Sequence, residues 1–255
     1  MKPISLQLYS VREAAKSDFP GVLKQVADIG YKAVEPAGMM DRTPKEYRAL
    51  LDDVGLRVSS IHGGLPTPET ASEIIDTAKT VGCDIVVSGK GPDDFKTLDA
   101  IRATADAFQQ GAELIRPHGL RMGYHNHYWE FDEVDGRLGY EILLELMPDV
   151  SSQLDVYWAS NFGKVDVPPI VAKYAGRLPT LHIKDGPLTR TDGGIDPHTA
   201  VGAGKMDIPA VVGAADESVL EWLIVELDHC ATDMMQAVRD SYDYLTGQGL
   251  AEGNR

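Results

Sequence analysis

Residues able to bind a metal ion or transfer a proton stand at the ends of four separate apolar segments of the chain. They are His125 with His127, then Asp155, His182 and Glu226, at successive intervals of 30, 27 and 44 residues from position 125. Each interval contains a segment with the pattern of a helix. Imidazole and carboxylate groups together favour Mn, Zn, Co, Fe or Mg over a thiolate-bound metal. The spacing therefore predicts a divalent metal site built from the ends of several strands.

The elements that must position these residues form a strand–helix repeat. Eight segments have strand patterns, at 4–9, 33–35, 56–62, 84–88, 120–127, 152–155, 178–184 and 219–226. Helical patterns between them end at Gly30, Gly55, Gly82, Gly119 and Gly176. An irregular stretch at 185–207 predicts a lid or binding loop. This alternation predicts an α/β fold, a single-domain (β/α)8 TIM barrel, whose strands all end at one rim.

Length and charge limit the classes of protein to consider. The 255 residues match the length of one barrel, so a single domain over residues 1–255 is expected. A formal net charge of −15 opposes nucleic-acid binding, which needs a basic surface, and favours a small-molecule partner. Two distant cysteines, a start without an apolar signal core and no membrane-length apolar segment predict a cytoplasmic protein that binds no membrane. The oligomeric state is left open, a homo-oligomer included.

Five motifs occur in an order that resembles a known family. They are LRMGYHNHYWEF, QLDVYWA, LPTLHIKD, AVGAGKMDIPAVV and LIVELD. Together they resemble the xylose isomerase-like TIM-barrel superfamily, in the branch described as sugar phosphate isomerases/epimerases, over nearly the whole chain. The resemblance implies a divalent metal at the barrel mouth, held by Glu, Asp, His and Glu, that grips adjacent oxygens of a keto sugar. Asp155, His182 and Glu226 fall on three of those four positions.

The fourth position departs from the family pattern. Where relatives commonly carry a glutamate, the chain has His125-Asn126-His127. One imidazole is expected to complete the metal site and the other to face the substrate. We take His125 as the ligand, although the sequence leaves the choice open. Trp158 replaces a histidine that binds sugar in epimerases, and offers an apolar plate to a sugar ring. Because the resemblance assigns proton transfer to two metal-bound carboxylates, losing one favours a one-base reaction or a larger, glycoside-like substrate.

Other polar residues near the predicted strand ends complete the candidate site. The candidate catalytic groups are Glu226, as both ligand and base, His127 and Glu130. The candidate substrate-binding residues are Glu35, His62, Trp158, Lys184 and Asp185. Structural alternatives stay open for several of these residues. Asp155 could cap a turn, Glu130 could be an ordinary loop carboxylate, and Lys184 with Asp185 could be a solvated pair.

Proton removal beside a carbonyl, assisted by a metal, is the chemistry that these residues predict. Isomerisation, 3-epimerisation and β-elimination all begin when a base removes an α-proton and the resulting enediolate is stabilised. The first hypothesis is a metal-dependent isomerase or epimerase for a sugar or keto sugar. The second is a lyase that cleaves a 3-keto-glycoside, and the third is a non-catalytic sugar-binding barrel. Endonucleases of the same superfamily are disfavoured because the acidic charge opposes a DNA-binding surface.

Overall fold

Short parallel strands alternate with helices through the chain. The structure, a computed structural model, describes residues 1–191 and 194–255. The barrel strands are β1 (Lys2–Gln7), β2 (Ala33–Glu35), β3 (Arg57–Val58), β4 (Ile61–His62), β5 (Ile85–Ser88), β6 (Arg121–His125), β7 (Ser151–Asp155), β8 (Thr180–Ile183) and β9 (Trp222–Val225). The helices are α1 (Arg12–Ser17), α2 (Phe19–Ile29), α3 (Pro44–Val54), α4 (Ala71–Val81), α5 (Leu98–Ile115), α6 (Gly139–Leu146), α7 (Val156–Ala159), α8 (Val167–Tyr174), α9 (Ile208–Gly213) and α10 (Met234–Gly247). Each of the eight predicted strand segments overlaps a strand, and the third overlaps two.

The barrel strands all pair in parallel, in the order β3-β2-β1-β9-β8-β7-β6-β5-β4. β3 and β4 are the two halves of one strand position, interrupted at Ser59 and Ser60. A parallel bridge between Ala37 and His62 joins β4 to the segment after β2. With the interrupted position counted once, the sheet forms the predicted (β/α)8 barrel, and the carboxyl ends of its strands meet at one rim.

Left-handed glycines follow helices α2, α3 and α4 as predicted, at Gly30, Gly55 and Gly82. Gly119 does the same after the 3₁₀ turn that precedes β6. The prediction is wrong for Gly176, because α8 continues into a 3₁₀ turn, Ala175–Arg177, that contains this glycine. None of the described helices is long and apolar enough to cross a membrane.

Apolar side chains divide between the outside and the inside of the barrel, as alternate residues of β9 show. Leu223 belongs to the large core between strands and helices, whereas Trp222 and Ile224 pack in a small separate cluster with Ala33. Other inward positions are polar. The hydroxyl groups of Ser5 and Ser59 meet at 2.8 Å, for example. Because buried polar groups need hydrogen-bond partners, the polar side chains inside the barrel form a connected hydrogen-bond network.

The long loop after β8 is fastened by the carboxylate of Asp185. One oxygen accepts hydrogen bonds from the backbone N–H groups of Gly186 at 2.8 Å and Met206 at 3.1 Å. The other accepts from the N–H groups of Gly202 and Gly204, both at 3.0 Å. A methyl group on residue 204 would lie 2.0 Å from this carboxylate, so the turn requires glycine there. The base of the loop is therefore held to the barrel.

Candidate metal centre

The four predicted metal-binding residues converge at the barrel mouth. His125 ends β6, Asp155 ends β7, His182 lies in β8 and Glu226 directly follows β9. One ligand atom from each residue lies within 4.8 Å of those of the others, and all four residues are buried. Parallel register explains part of this convergence, since His182 pairs directly with Asp155. Two imidazoles and two carboxylates form a donor set fit for a divalent metal.

Hydrogen bonds behind the cluster orient its imidazoles. His125 Nδ1 lies 3.1 Å from Gln153 Oε1, and His182 Nε2 lies 3.0 Å from Glu35 Oε1. The second ring nitrogen of His182 faces the cluster, 2.9 Å from Glu226 Oε2. Burial alone would lower the pKa of His182, but the two flanking carboxylates outweigh it and raise the pKa to about 10. A carboxylate behind a metal-binding histidine is the usual means of fixing its ring.

Asp155 offers a direct test of whether a metal fits. Its Oδ1 accepts a hydrogen bond from the backbone N–H of Trp158 at 2.9 Å. Its Oδ2 is buried and has no hydrogen-bond partner, although Lys184 Nζ lies 3.0 Å away. This oxygen is therefore paired with a cation but accepts no directed hydrogen bond. A divalent cation could take the place of the ammonium beside this oxygen, and two imidazoles with two carboxylates are donors that such a cation accepts, so the residues present fit the group.

Glu35 lies at the centre of the polar network beneath the cluster. Its carboxylate accepts hydrogen bonds from the side chains of Gln7, Ser60, Gln153 and His182. Burial alone would raise the pKa of Glu35, but attraction to His182 outweighs it and holds that pKa well below its usual range. The sequence predicted that Glu35 would contact sugar hydroxyls. The structure instead surrounds it with protein groups, where it orients His182.

Lys184 balances the charge of the carboxylates. Its ammonium lies 3.0 Å from an oxygen of Asp155, 3.0 Å from one of Glu226 and 2.7 Å from one of Asp228. The residue is fully buried. Burial alone would raise the pKa of Glu226, but Lys184 and His182 outweigh it and hold that pKa well below its usual range. The sequence predicted substrate contact for Lys184, whereas its partners in the structure are carboxylates of the protein.

A cavity of about 320 Å³ opens from the cluster to the surface. The cluster members His125 and Glu226 line it, together with the predicted residues His62 and His127. The sequence analysis missed four lining residues: Gln7, Tyr9, Ala37 and Asp228. Gln7 ends β1 and Asp228 lies two residues beyond Glu226, so the strand-end rule that selected the ligands could have selected these two as well.

His127 and Glu130 were predicted as catalytic groups, and only His127 lines the cavity. The His127 ring stacks on Trp129 with 4.2 Å between ring centres, and its Nδ1 is buried without a partner. Glu130 is fully buried and accepts hydrogen bonds from the Tyr124 hydroxyl at 2.7 Å and the His127 backbone N–H at 2.9 Å. Burial raises the pKa of Glu130 to about 8. These contacts give Glu130 a role in holding the segment that carries His127.

Trp158 and Asp185, also predicted to bind substrate, lie outside the cavity lining, as Glu35 and Lys184 do. Trp158 is 5 % exposed, and its ring centre lies 4.9 Å from Lys184 Nζ and 5.1 Å from the His198 ring. Both carboxylate oxygens of Asp185 accept hydrogen bonds from backbone N–H groups of its own loop. His198, in the same loop, is fully buried, and its Nδ1 accepts a hydrogen bond from the backbone N–H of Asp228 at 3.2 Å. The loop therefore packs against the barrel mouth.

A parallel α/β barrel with a mixed imidazole and carboxylate cluster at its mouth belongs to the class of TIM barrels whose mouth offers the donor set of a divalent metal. Residues 23–247 match the family described as xylose isomerase-like TIM barrel, and the chain belongs to this family. The resemblance seen in the sequence motifs is thereby confirmed.

Individual relatives differ in the reactions that their names describe. The chain is 22 % identical over 251 residues to an inosose dehydratase from Geobacillus kaustophilus, which covers 86 % of this chain and 80 % of the relative. It resembles the structure of a sugar phosphate isomerase/epimerase from Parabacteroides distasonis, with a TM-score of 0.80, 25 % identity and coverage of 98 % and 96 % of the two chains. A xylose isomerase-like TIM barrel protein from Mycobacterium smegmatis, in complex with magnesium, matches with a TM-score of 0.69, 17 % identity and coverage of 98 % and 97 %.

Proposed function

We propose that this protein is a divalent-metal-dependent isomerase or epimerase that acts on a sugar or keto sugar. The observation that carries the proposal is that His125 and Glu226 belong both to the four-residue cluster and to the cavity lining. A small molecule in the cavity therefore meets a metal-binding group and a carboxylate at the same place. The similarity to the isomerase/epimerase from Parabacteroides distasonis supports this class of reaction.

In this proposal the cluster residues and the residues of the cavity wall have different roles. The metal would be held by His125, Asp155, His182 and Glu226. When bound, a divalent cation supplies Lewis acidity that stabilises negative charge beside a carbonyl. In this proposal Glu226, which belongs to both the cluster and the cavity lining, takes the α-proton. Sugar hydroxyls would meet Gln7, His62 and His127 on the cavity wall.

A lyase that acts by β-elimination is the second candidate, and the placement of the carboxylates favours it. Both acidic residues of the lining, Glu226 and Asp228, follow β9, whereas the other titratable side chains of the wall include the imidazoles of His62, His125 and His127. Burial and the nearby Lys184 lower the pKa of His127 to about 4, which leaves this ring uncharged at neutral pH. Carboxylates from one strand suit proton removal on one side of a substrate. The similarity to an inosose dehydratase supports this alternative.

Deuterium exchange tests both candidates. The Mn²⁺-loaded protein is incubated in D₂O with keto sugars, an inosose and 3-keto-glycosides, and NMR follows deuterium uptake and products. An isomerised or epimerised product that carries deuterium supports the first candidate, whereas an unsaturated product with a released leaving group supports the second. Binding of metal and sugar without exchange would identify a non-catalytic sugar-binding barrel.

Replacement of the base provides the matching variant. Glu226→Gln keeps an oxygen for the metal but cannot accept the proton, so exchange should fall by at least about 100-fold while Mn²⁺ still binds. Glu221→Gln makes the same chemical change just before β9, where the side chain is 40 % exposed, and should exchange at the parental rate. Parental exchange in Glu226→Gln with bound metal would exclude Glu226 as the base.

A further inference from the structure

The geometry points to Lys184 as a resident cation of the metal centre, which neutralises the ligand carboxylates in the metal-free protein and competes with the divalent metal for them. The inference rests on the metal dependence in the proposed function. It goes beyond that function because it assigns the affinity for metal to a residue that is not a ligand.

The position of the ammonium is the first observation. Lys184 Nζ lies 3.0 Å from Asp155 Oδ2 and 3.0 Å from Glu226 Oε2, and both residues belong to the cluster. Asp155 Oδ2 is the buried oxygen without a hydrogen bond, and Glu226 Oε2 is the oxygen that faces His182. Lys184 therefore pairs with one oxygen of each of the two carboxylates that would hold a metal.

Burial makes this competition strong. Lys184 is fully buried, and among the described residues no other lysine or arginine forms an ion pair with Asp155 or Glu226. Opposite charges that are removed from water attract strongly, and like charges repel strongly, because little solvent screens them. A divalent cation that enters the cluster must weaken the ion pairs of Lys184, and the positive charge of Lys184 also repels it.

A third carboxylate, that of Asp228, can hold the ammonium of Lys184 when a metal occupies the cluster. Asp228 lies 2.7 Å from Lys184 Nζ but is not a member of the four-residue cluster. Its side chain is 28 % exposed, and the ring of Trp158 lies 4.9 Å from the ammonium. Lys184 can therefore release Asp155 and Glu226 to a metal and still keep one carboxylate and an aromatic face. Removal of the charge should make the metal bind more tightly.

Metal titration without substrate tests this inference. Lys184→Met and Lys184→Gln remove the charge at similar side-chain length. Calorimetric titration should show Mn²⁺ binding at least about tenfold more tightly to each than to the parent. Lys173→Met is the matched control, since it removes one positive charge from an exposed pair with Glu141. Its Mn²⁺ affinity should stay within about twofold of the parent.

Stability measurements keep the test decisive. Without metal, both Lys184 variants should melt at lower temperature than the parent, because three carboxylates lose their cation. They should also gain more from added Mn²⁺ than the parent does. Should a variant fold only with metal, its recovery by Mn²⁺ supports the inference, and failure of both variants to recover overturns it.

The outcomes separate this inference from the proposed function. Equal or weaker Mn²⁺ binding in both folded variants would overturn the role of Lys184, while deuterium exchange by the parent would leave the proposed function standing. Tighter binding in the variants, with no exchange by the metal-loaded parent, would support the resident cation and remove the enzymatic proposal. No Mn²⁺ binding by the parent or by either variant would overturn both.

Discussion

The barrel carries a network of ion pairs at each end, and the two networks differ mainly in burial. At the mouth, Lys184 contacts three carboxylates and is fully buried. At the opposite end, Arg121 lies 2.8 Å from Asp84 and 2.5 Å from Glu221, and its side chain is 40 % exposed. Exposed pairs contribute about 0–1 kcal/mol, whereas breaking a buried pair costs about 3–5 kcal/mol because one charge stays uncompensated. The exposed network joins the starts of strands, and the buried network holds charge where a cation can replace it.

Removal of a cluster ligand has the largest expected effect. Asp155→Ala or His182→Ala takes away one of four donors, so Mn²⁺ affinity should fall by more than about 100-fold, beyond the range of an outer partner. Metal content after dialysis and titration against a chelator measures the loss, and circular dichroism checks the fold. Asp84→Ala breaks the network at the other end and should bind Mn²⁺ as the parent does. Unchanged metal content in both ligand variants would contradict the assignment.

Glu35 tests whether the polar network behind the ligands matters. Glu35→Gln removes the negative charge beside His182 Nε2, so Mn²⁺ affinity should fall by roughly 10–100-fold. The same titration measures it. A variant with parental affinity would show that His182 needs no carboxylate behind it.

Glu130 extends the comparison to stability. Burial raises its pKa from 4.5 to about 8, so the folded state holds a proton at neutral pH that the unfolded chain releases. The unfolding free energy contributed by Glu130 therefore declines with rising pH, by about 1.4 kcal/mol between pH 6 and pH 7. Glu130→Gln stays neutral and should show a flatter dependence in denaturant unfolding. Parallel losses in parent and variant would mean that Glu130 is ionised in the folded protein.

The exposed network should give the smallest effect. Arg121→Met should lower the unfolding free energy by about 1 kcal/mol or less, since solvent screens its pairs with Asp84 and Glu221. Denaturant unfolding measures this change, and Mn²⁺ affinity should not move. A loss of about 3–5 kcal/mol in the unfolding free energy, as for a buried pair, would show that exposure does not weaken the network at this end.

The convergence of Asp155, His182 and Glu226 at the barrel mouth could be predicted, because all strands of a parallel barrel end at one rim. Spacing alone could not choose between His125 and His127, since residues two apart on a strand share a face. In the structure β6 ends at His125, which belongs to the cluster, and the chain then turns so that His127 stacks on Trp129. β6 ends at His125, two residues before the end of the predicted strand segment, and this determines which of the two imidazoles joins the cluster.

The partners behind the ligands could not be predicted, because they depend on which strands face each other across the barrel. Glu35 reaches His182 from β2, although β1 and β9 lie between β2 and β8 in the sheet. The pattern of apolar residues indicates that Glu35 and His182 both lie at the rim, but not that their side chains contact each other. Asp185 shows the same limit, since its carboxylate turns toward the backbone N–H groups of its own loop.

The carboxylate of Asp185 also affects how small molecules travel between solvent and the barrel. It joins Gly186 to Met206, and His198 holds a later part of the same loop beside Asp228. Tyr9, which lines the cavity and lies outside this loop, is 43 % exposed. Opening of this loop would break the hydrogen bonds to Asp185 and His198, whereas a small molecule that passes the exposed ring of Tyr9 breaks none of them.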